Sequence, residues 1–170
     1  MKEYKNLKYY LNQDFPIKGV TFVDFTPTFY DFNNFFKVIV ELSSLVKDDF
    51  DYIAAPDARG FLWGMALANH LKIGIIPIRK AGKLPNENIQ DKYEYVTEYS
   101  KTTLDLPLVD LKGKKVLFVD DVYATGGTYE AVKNMVNNAG GTLNQGIVLY
   151  NVMINNNNDI DYLVSSKELF

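Results

Sequence analysis

Val116-Leu117-Phe118-Val119-Asp120-Asp121-Val122-Tyr123-Ala124-Thr125-Gly126-Gly127-Thr128 is the stretch that decides the fold. It opens with four apolar, mostly β-branched or aromatic residues, the pattern of a strand buried on both faces. Two adjacent carboxylates, Asp120 and Asp121, end that strand, and a small-residue loop over 124–128 runs into a helical pattern over 129–138. In a parallel α/β sheet, ligands bind outside the carboxyl ends of the strands. A glycine-rich turn opening a helix there aims several backbone N–H groups at one point, which suits a phosphate. Gly126 and Gly127 allow close approach of the backbone, and Thr125 and Thr128 add hydroxyls. The acidic pair repels that same phosphate, so it suits neighbouring hydroxyls, or a metal ion, one step along the ligand. A sugar phosphate satisfies both halves. The chain has no G-x-G-x-x-G and no G-K-[ST], which sets aside a dinucleotide fingerprint and a P-loop.

Outward from this stretch, strand and helix patterns alternate. Helical spacing is read over residues 2–12, 31–46 and 61–71, and strands over 52–55, 73–78, 145–151 and 160–164. Residues 86–110 are polar with alternating tyrosines and threonines, a β-rich excursion or mobile flap, and 155–158 is an asparagine loop. This order predicts a single α/β domain over 1–170: a central parallel β-sheet flanked by helices. Three successive strand-to-helix junctions then carry chemistry: residues 57–60, 79–83 and 120–128. All three are expected at one sheet edge, which would bring Arg59, Arg79, Lys80 and Lys83 to face a diphosphate beside the glycine loop.

Cation usage supports that reading. Of 18 Lys+Arg only Arg59 and Arg79 are arginine. Arginine grips phosphate oxygens with a planar fork that lysine lacks, so its placement after two predicted strands is informative. The net charge of −3 argues against general nucleic-acid binding. No apolar run approaches the ~20 residues that span a membrane. The start of the chain lacks the apolar core of a signal peptide, and the absence of cysteine excludes a thiol nucleophile. A cytoplasmic location is expected. His70, Trp63 and the lysines 112, 114 and 115 read as ordinary surface or packing residues, and Asp57 as a helix cap.

These motifs resemble those of type I phosphoribosyltransferases, and within them the adenine phosphoribosyltransferase family, over roughly residues 15–150. Asp57-Ala58-Arg59-Gly60-Phe61-Leu62-Trp63-Gly64 is similar to the family's pyrophosphate loop, which often carries a cis peptide, here between Asp57 and Ala58. Ile78-Arg79-Lys80-Ala81-Gly82-Lys83-Leu84-Pro85 matches its second pyrophosphate segment. Phe15-Pro16 and Phe22-Val23-Asp24 resemble the hood, about 1–30, that clasps the base, with Phe22 stacking on the purine. Residues 86–106 correspond to the flap, with Glu98 and Tyr99 over the reacting centre. The family usually has arginine where Val23 stands and glycine where Ser100 stands.

The resemblance implies adenine and phosphoribosyl pyrophosphate as substrates, giving AMP and pyrophosphate in purine salvage. It also implies Mg²⁺ carried by the substrate near Asp120 and Asp121, with no certain protein metal ligand, and a homodimer without nucleic-acid or membrane partners. Within it, Glu98, Tyr99, Asp120 and Asp121 are the expected catalytic residues. Phe22, Arg59, Arg79, Lys80, Lys83, Ala124, Thr125, Gly126, Gly127 and Thr128 are the expected substrate-binding ones. Enzymes for hypoxanthine and guanine generally carry aspartate where Ala124 stands, which favours adenine. Xanthine or another purine is the alternative, since xanthine enzymes also have alanine there. A phosphoribosyl-pyrophosphate-sensing regulator is a further alternative, and its additional DNA-binding domain has no counterpart in 170 residues.

Overall fold

The computed structural model describes residues 1–96, 101–153 and 157–170. Its centre is a seven-stranded sheet of β4 (Tyr52–Pro56), β5 (Gly74–Lys80), β6 (Ile89–Val96), β7 (Lys101–Pro107), β8 (Lys115–Tyr123), β9 (Thr142–Asn151) and β10 (Ile160–Ser165), in the order β10-β9-β8-β4-β5-β7-β6. The five strands from β10 to β5 are parallel, and β7 and β6 add to the β5 edge antiparallel. The sheet is therefore mostly parallel, with a hairpin at one edge. The junction at 79–83 accordingly leads from β5 into this hairpin and not into a helix.

Helices α1 (Phe32–Ser44) and α2 (Arg59–Leu71) cover one face and α3 (Gly127–Asn138) the other. Strand alternation builds both cores: Ile53, Ala55, Leu117 and Val119 pack with Val38, Trp63 and Leu67, whereas Ala54, Val116 and Phe118 pack with Val132, Met135 and Val136. Trp63 is 1% exposed and packs with tilted rings against Phe29 and Phe35. His70 lies exposed in the last turn of α2, its ring edge-on to Phe36.

β4 and β8 are neighbours, but their crossovers leave in opposite directions, β4 to β5 and β8 to β9. The carboxyl ends of these two strands form the switch point at which open α/β sheets bind ligands. β8 runs on to Tyr123, so the acid pair lies within the strand and not just beyond it.

The N-terminal segment differs from expectation. Residues 2–12 form no helix but two strands, β1 (Lys2–Tyr4) and β2 (Leu7–Gln13), joined at Lys5, whose φ is +52°. With β3 (Thr21–Asp24) they make an antiparallel sheet in the order β1-β2-β3. Tyr4, Leu7 and Leu11 fit a helical stripe, but Leu7, Tyr9 and Leu11 also alternate, and burial of Leu7 and Tyr9 against the core decides for the strand. A last short helix, α4 (Ser166–Leu169), is closed by a capping box between Ser165 and Glu168, and Tyr4 Oη donates to Glu168 Oε1 at 2.8 Å.

Candidate active site

A cavity of about 610 Å³ opens over the carboxyl end of β8, between the small N-terminal sheet and the start of α3. Such a volume lies within the range of small-molecule sites. At one end is the turn of residues 124–128. Gly126 has φ +89°, and a Cβ there would lie 2.5 Å from the Tyr123 hydroxyl, so both backbone and space require glycine. Gly126 is the N-cap of α3 and no side chain caps that terminus. The amides of the first turn are thus available to an anion, and the helix dipole favours one. Thr128 Oγ1 shares a 2.9 Å hydrogen bond with Tyr95 Oη from β6, which ties the edge hairpin to the loop. Burial raises the Tyr95 phenol above its ordinary pKa, so it serves as a neutral hydroxyl.

The acid pair sits beside this loop. Asp121 is only 4% exposed and pairs with Arg59, Nε to Oδ2 at 2.6 Å. Its N–H donates to Asp120 Oδ1 at 2.8 Å. Gly60 lets the start of α2 close onto Asp120: a Cβ there would meet Pro56 Cδ at 2.9 Å and Asp120 Oδ1 at 3.0 Å. Burial, and then the Asp121 charge, push the Asp120 carboxyl well above its ordinary pKa. Burial raises Asp121 too, against the opposing pull of Arg59. Such a pair gains from a ligand that offers hydroxyl donors or brings a cation.

Arg59 also lies over the Phe22 ring, 4.6 Å from its centroid, so a single guanidinium joins Asp121 to β3 of the N-terminal sheet. Phe22, held edge-on by Phe15, lines the apolar end of the cavity with Val20, Val122 and Val152. The Val23 side chain is buried in the core at 3% exposure, and among the described residues its strand pairs only with β2. One backbone edge of β3 is therefore unpaired within its sheet.

The second cluster stands at the carboxyl ends of β4 and β5. Asp57 Oδ2 accepts from Arg79 Nε at 3.2 Å and from the Lys80 N–H at 3.1 Å. Asp57 is thus an anchor for Arg79 and not a helix cap, since α2 has no side-chain cap. The Asp57–Ala58 peptide is cis. Arg79 lies over Phe61, 5.7 Å from the ring centroid, and Lys80 and Lys83 extend into solvent. The structure therefore divides the cations: Arg59, paired with Asp121, lines the cavity, whereas Arg79, Lys80 and Lys83 lie outside its lining. Glu98 and Tyr99 lie outside the described residues, as do 154–156 of the asparagine loop.

The family model described as the phosphoribosyl transferase domain matches residues 28–167. An adenine phosphoribosyltransferase of Malacoplasma penetrans is 45% identical over 133 residues, which covers 77% of this chain and 76% of that protein. One from Kosmotoga olearia is 46% identical over 147 residues, 84% of this chain and 85% of its own length. The chain belongs to the adenine phosphoribosyltransferase family. The crystal structure of the adenine phosphoribosyltransferase from Thermoanaerobacter pseudethanolicus superposes with a TM-score of 0.86 at 38% identity, covering 92% of this chain and 95% of that one. The adenine phosphoribosyltransferase of Saccharomyces cerevisiae, crystallised with adenine and an imino-altritol bisphosphate, superposes at 0.82 with 30% identity, covering 92% and 94%.

Several residues around this cavity carry no signal in sequence. Tyr95 reads as one of several alternating strand tyrosines, and only its bond to Thr128 distinguishes it. Tyr123 gains its place through Gly126, and Ser166 and Phe170 reach the cavity wall from α4.

Proposed function

We propose that the chain transfers the ribosyl group of phosphoribosyl pyrophosphate to adenine, giving AMP and pyrophosphate. The observation that carries this is one cavity holding an uncapped, glycine-built helix terminus together with Arg59, the ion-pair partner of the buried Asp121. The 5′-phosphate takes the amides of 126–128, and the ribose hydroxyls take Asp120 and Asp121. Arg79, Lys80 and Lys83 hold the leaving pyrophosphate, and Arg59 adds positive charge from the Asp121 side. Mg²⁺ would arrive with the substrate next to Asp120 and Asp121, where it would supply positive charge to offset the leaving diphosphate. The acid pair then offers negative potential beneath an oxocarbenium-like ribosyl centre.

Adenine lies against Phe22 at the apolar end. Its 6-amino group and N1 meet the free backbone edge of β3, a readout that does not need a side chain at position 23. Ala124 leaves the loop without the acid usual in 6-oxopurine enzymes. The hood is residues 1–30, and the flap, 86–106, closes with Glu98 and Tyr99 over the reacting atoms to exclude water. The names of the relatives and the adenine-bound yeast structure support this reading. Competition at equal concentrations of adenine, hypoxanthine, guanine and xanthine tests it. AMP is the expected product, and preferential turnover of a 6-oxopurine would refute the assignment.

We also infer a homodimer, in a cytoplasmic setting that cell fractionation can check. Among the described residues no helix is long and apolar enough to cross a membrane. Tyr30 and Phe32 are 76% and 74% exposed, and Phe36 and Val40 of α1 and Leu62 and Met65 of α2 are exposed too, with the Phe32 and Phe36 rings stacked. A patch of this kind marks a protein–protein surface. Sedimentation should give twice the chain mass of 19.4 kDa, and Phe36→Glu should halve it.

A further inference from the structure

Asp105, in the middle of β7, is fully buried, and neither of its carboxylate oxygens has a hydrogen-bond partner among the described residues. Buried side-chain polar atoms are nearly always partnered, and a buried carboxylate left alone destabilises a fold. Its ladder neighbours are both cations: Arg79 of β5 on one side and Lys92 of β6 on the other. Directly opposed residues of antiparallel strands project to the same face with Cβ atoms about 4.5–5.5 Å apart. Lys92 is exposed to solvent. Arg79 turns to Asp57 through Nε alone, at 3.2 Å, and its side chain makes no other hydrogen bond among the described residues. Arg79 thus has donors to spare beside a carboxylate with none.

Asp57 and an incoming diphosphate compete for the same guanidinium. If the ligand draws Arg79 off Asp57, an acceptor behind the guanidinium, outside the path of the ligand, is needed to keep the fork oriented. We propose that Asp105 is that acceptor: a positioning residue that takes the sheet-facing edge of the Arg79 guanidinium when diphosphate binds, leaving the other edge to grip phosphate oxygens. The proposal rests on the phosphoribosyl-pyrophosphate reading of the site. In the free protein Asp105 costs stability, and in the complex it fixes Arg79.

The experiment is calorimetric titration of the full chain with Mg²⁺ and phosphoribosyl pyrophosphate, alongside melting curves of the unliganded protein. Asp105→Asn and Asp105→Leu are compared with the parent, and Asp105→Asn also in an Arg79→Ala background. Asp105→Leu is expected to raise Tm by roughly 2–8 °C, as when a poorly paired buried charge gives way to an apolar side chain. Both variants are expected to weaken binding roughly ten- to a hundredfold, the range of a charge-assisted hydrogen bond. KM for adenine should stay within about twofold. In the Arg79→Ala background the Asp105 substitution should change affinity by less than about twofold, because the partner it acts through is gone. Parental affinity in Asp105→Asn, an equal loss with and without Arg79, or a lowered Tm in Asp105→Leu overturns the role of Asp105 alone. A parent chain that does not bind phosphoribosyl pyrophosphate overturns this role together with the reading on which it rests.

Discussion

Asp121→Asn separates what the acid pair does for the fold from what it does for the substrate. The substitution keeps shape and removes one charge from a side chain that is 4% exposed and bonded to Arg59 at 2.6 Å. A hydrogen bond to a charged group contributes about 1.5–3 kcal/mol. With each decade of rate at about 1.4 kcal/mol, kcat/KM for phosphoribosyl pyrophosphate should fall roughly ten- to a hundredfold. Stability should move the other way. Burial raises both carboxyls above their ordinary value of 3.8, so the folded state binds protons more tightly than the unfolded chain does. Stability from these groups is fully present below pH 3.8 and is lost as pH rises through the folded pKa values. At pH 7 the parent bears that loss. The asparagine variant escapes its share and should melt no lower than the parent, with a weaker decline of Tm between acid and neutral pH. Initial rates at varied phosphoribosyl pyrophosphate, with calorimetric melting across pH, measure both. A well-folded variant with parental kcat/KM would show that Asp121 does not engage the ribose. A large drop in Tm at pH 7 would show that the Arg59 pair outweighs the burial penalty.

Gly126→Ala forces a side chain into left-handed backbone at about 1–2 kcal/mol and sets a Cβ 2.5 Å from the Tyr123 hydroxyl. Tm should drop by roughly 2–8 °C, and equilibrium titration should show AMP affinity reduced at least about tenfold; parental AMP affinity would argue against phosphate on this turn. Tyr95→Phe removes the 2.9 Å bond to Thr128, a neutral bond of about 0.5–1.5 kcal/mol, so KM for phosphoribosyl pyrophosphate should rise roughly two- to tenfold. Steady-state kinetics check this, and an unchanged KM would make the contact incidental.

How far the sequence reaches depends on how local each signal is. The run from Val116 to Thr128 holds strand, acid pair, glycine turn and helix start in contiguous residues, so their order is legible without any partner. The two arginines stand out because lysine fills the other cationic positions. The α/β alternation follows from apolar periods that each segment carries for itself. Residues 2–12 show where this fails: they satisfy a helical and an alternating period at once, and pairing with β3, together with burial against the core, chooses between them. The working contacts of the site belong to the tertiary structure. Arg59 meets Asp121, Arg79 meets Asp57 and Tyr95 meets Thr128 across 22 or more residues of chain. Asp105 reads in sequence as one polar residue between two leucines, and its isolation exists only once β5 and β6 pair on either side of it. Composition and local period determine which residues can do chemistry. Which of them face one another, and which are left without a partner, is set by strand order and register, because hydrogen-bond and ion-pair energies act over a few ångströms of space regardless of distance along the chain.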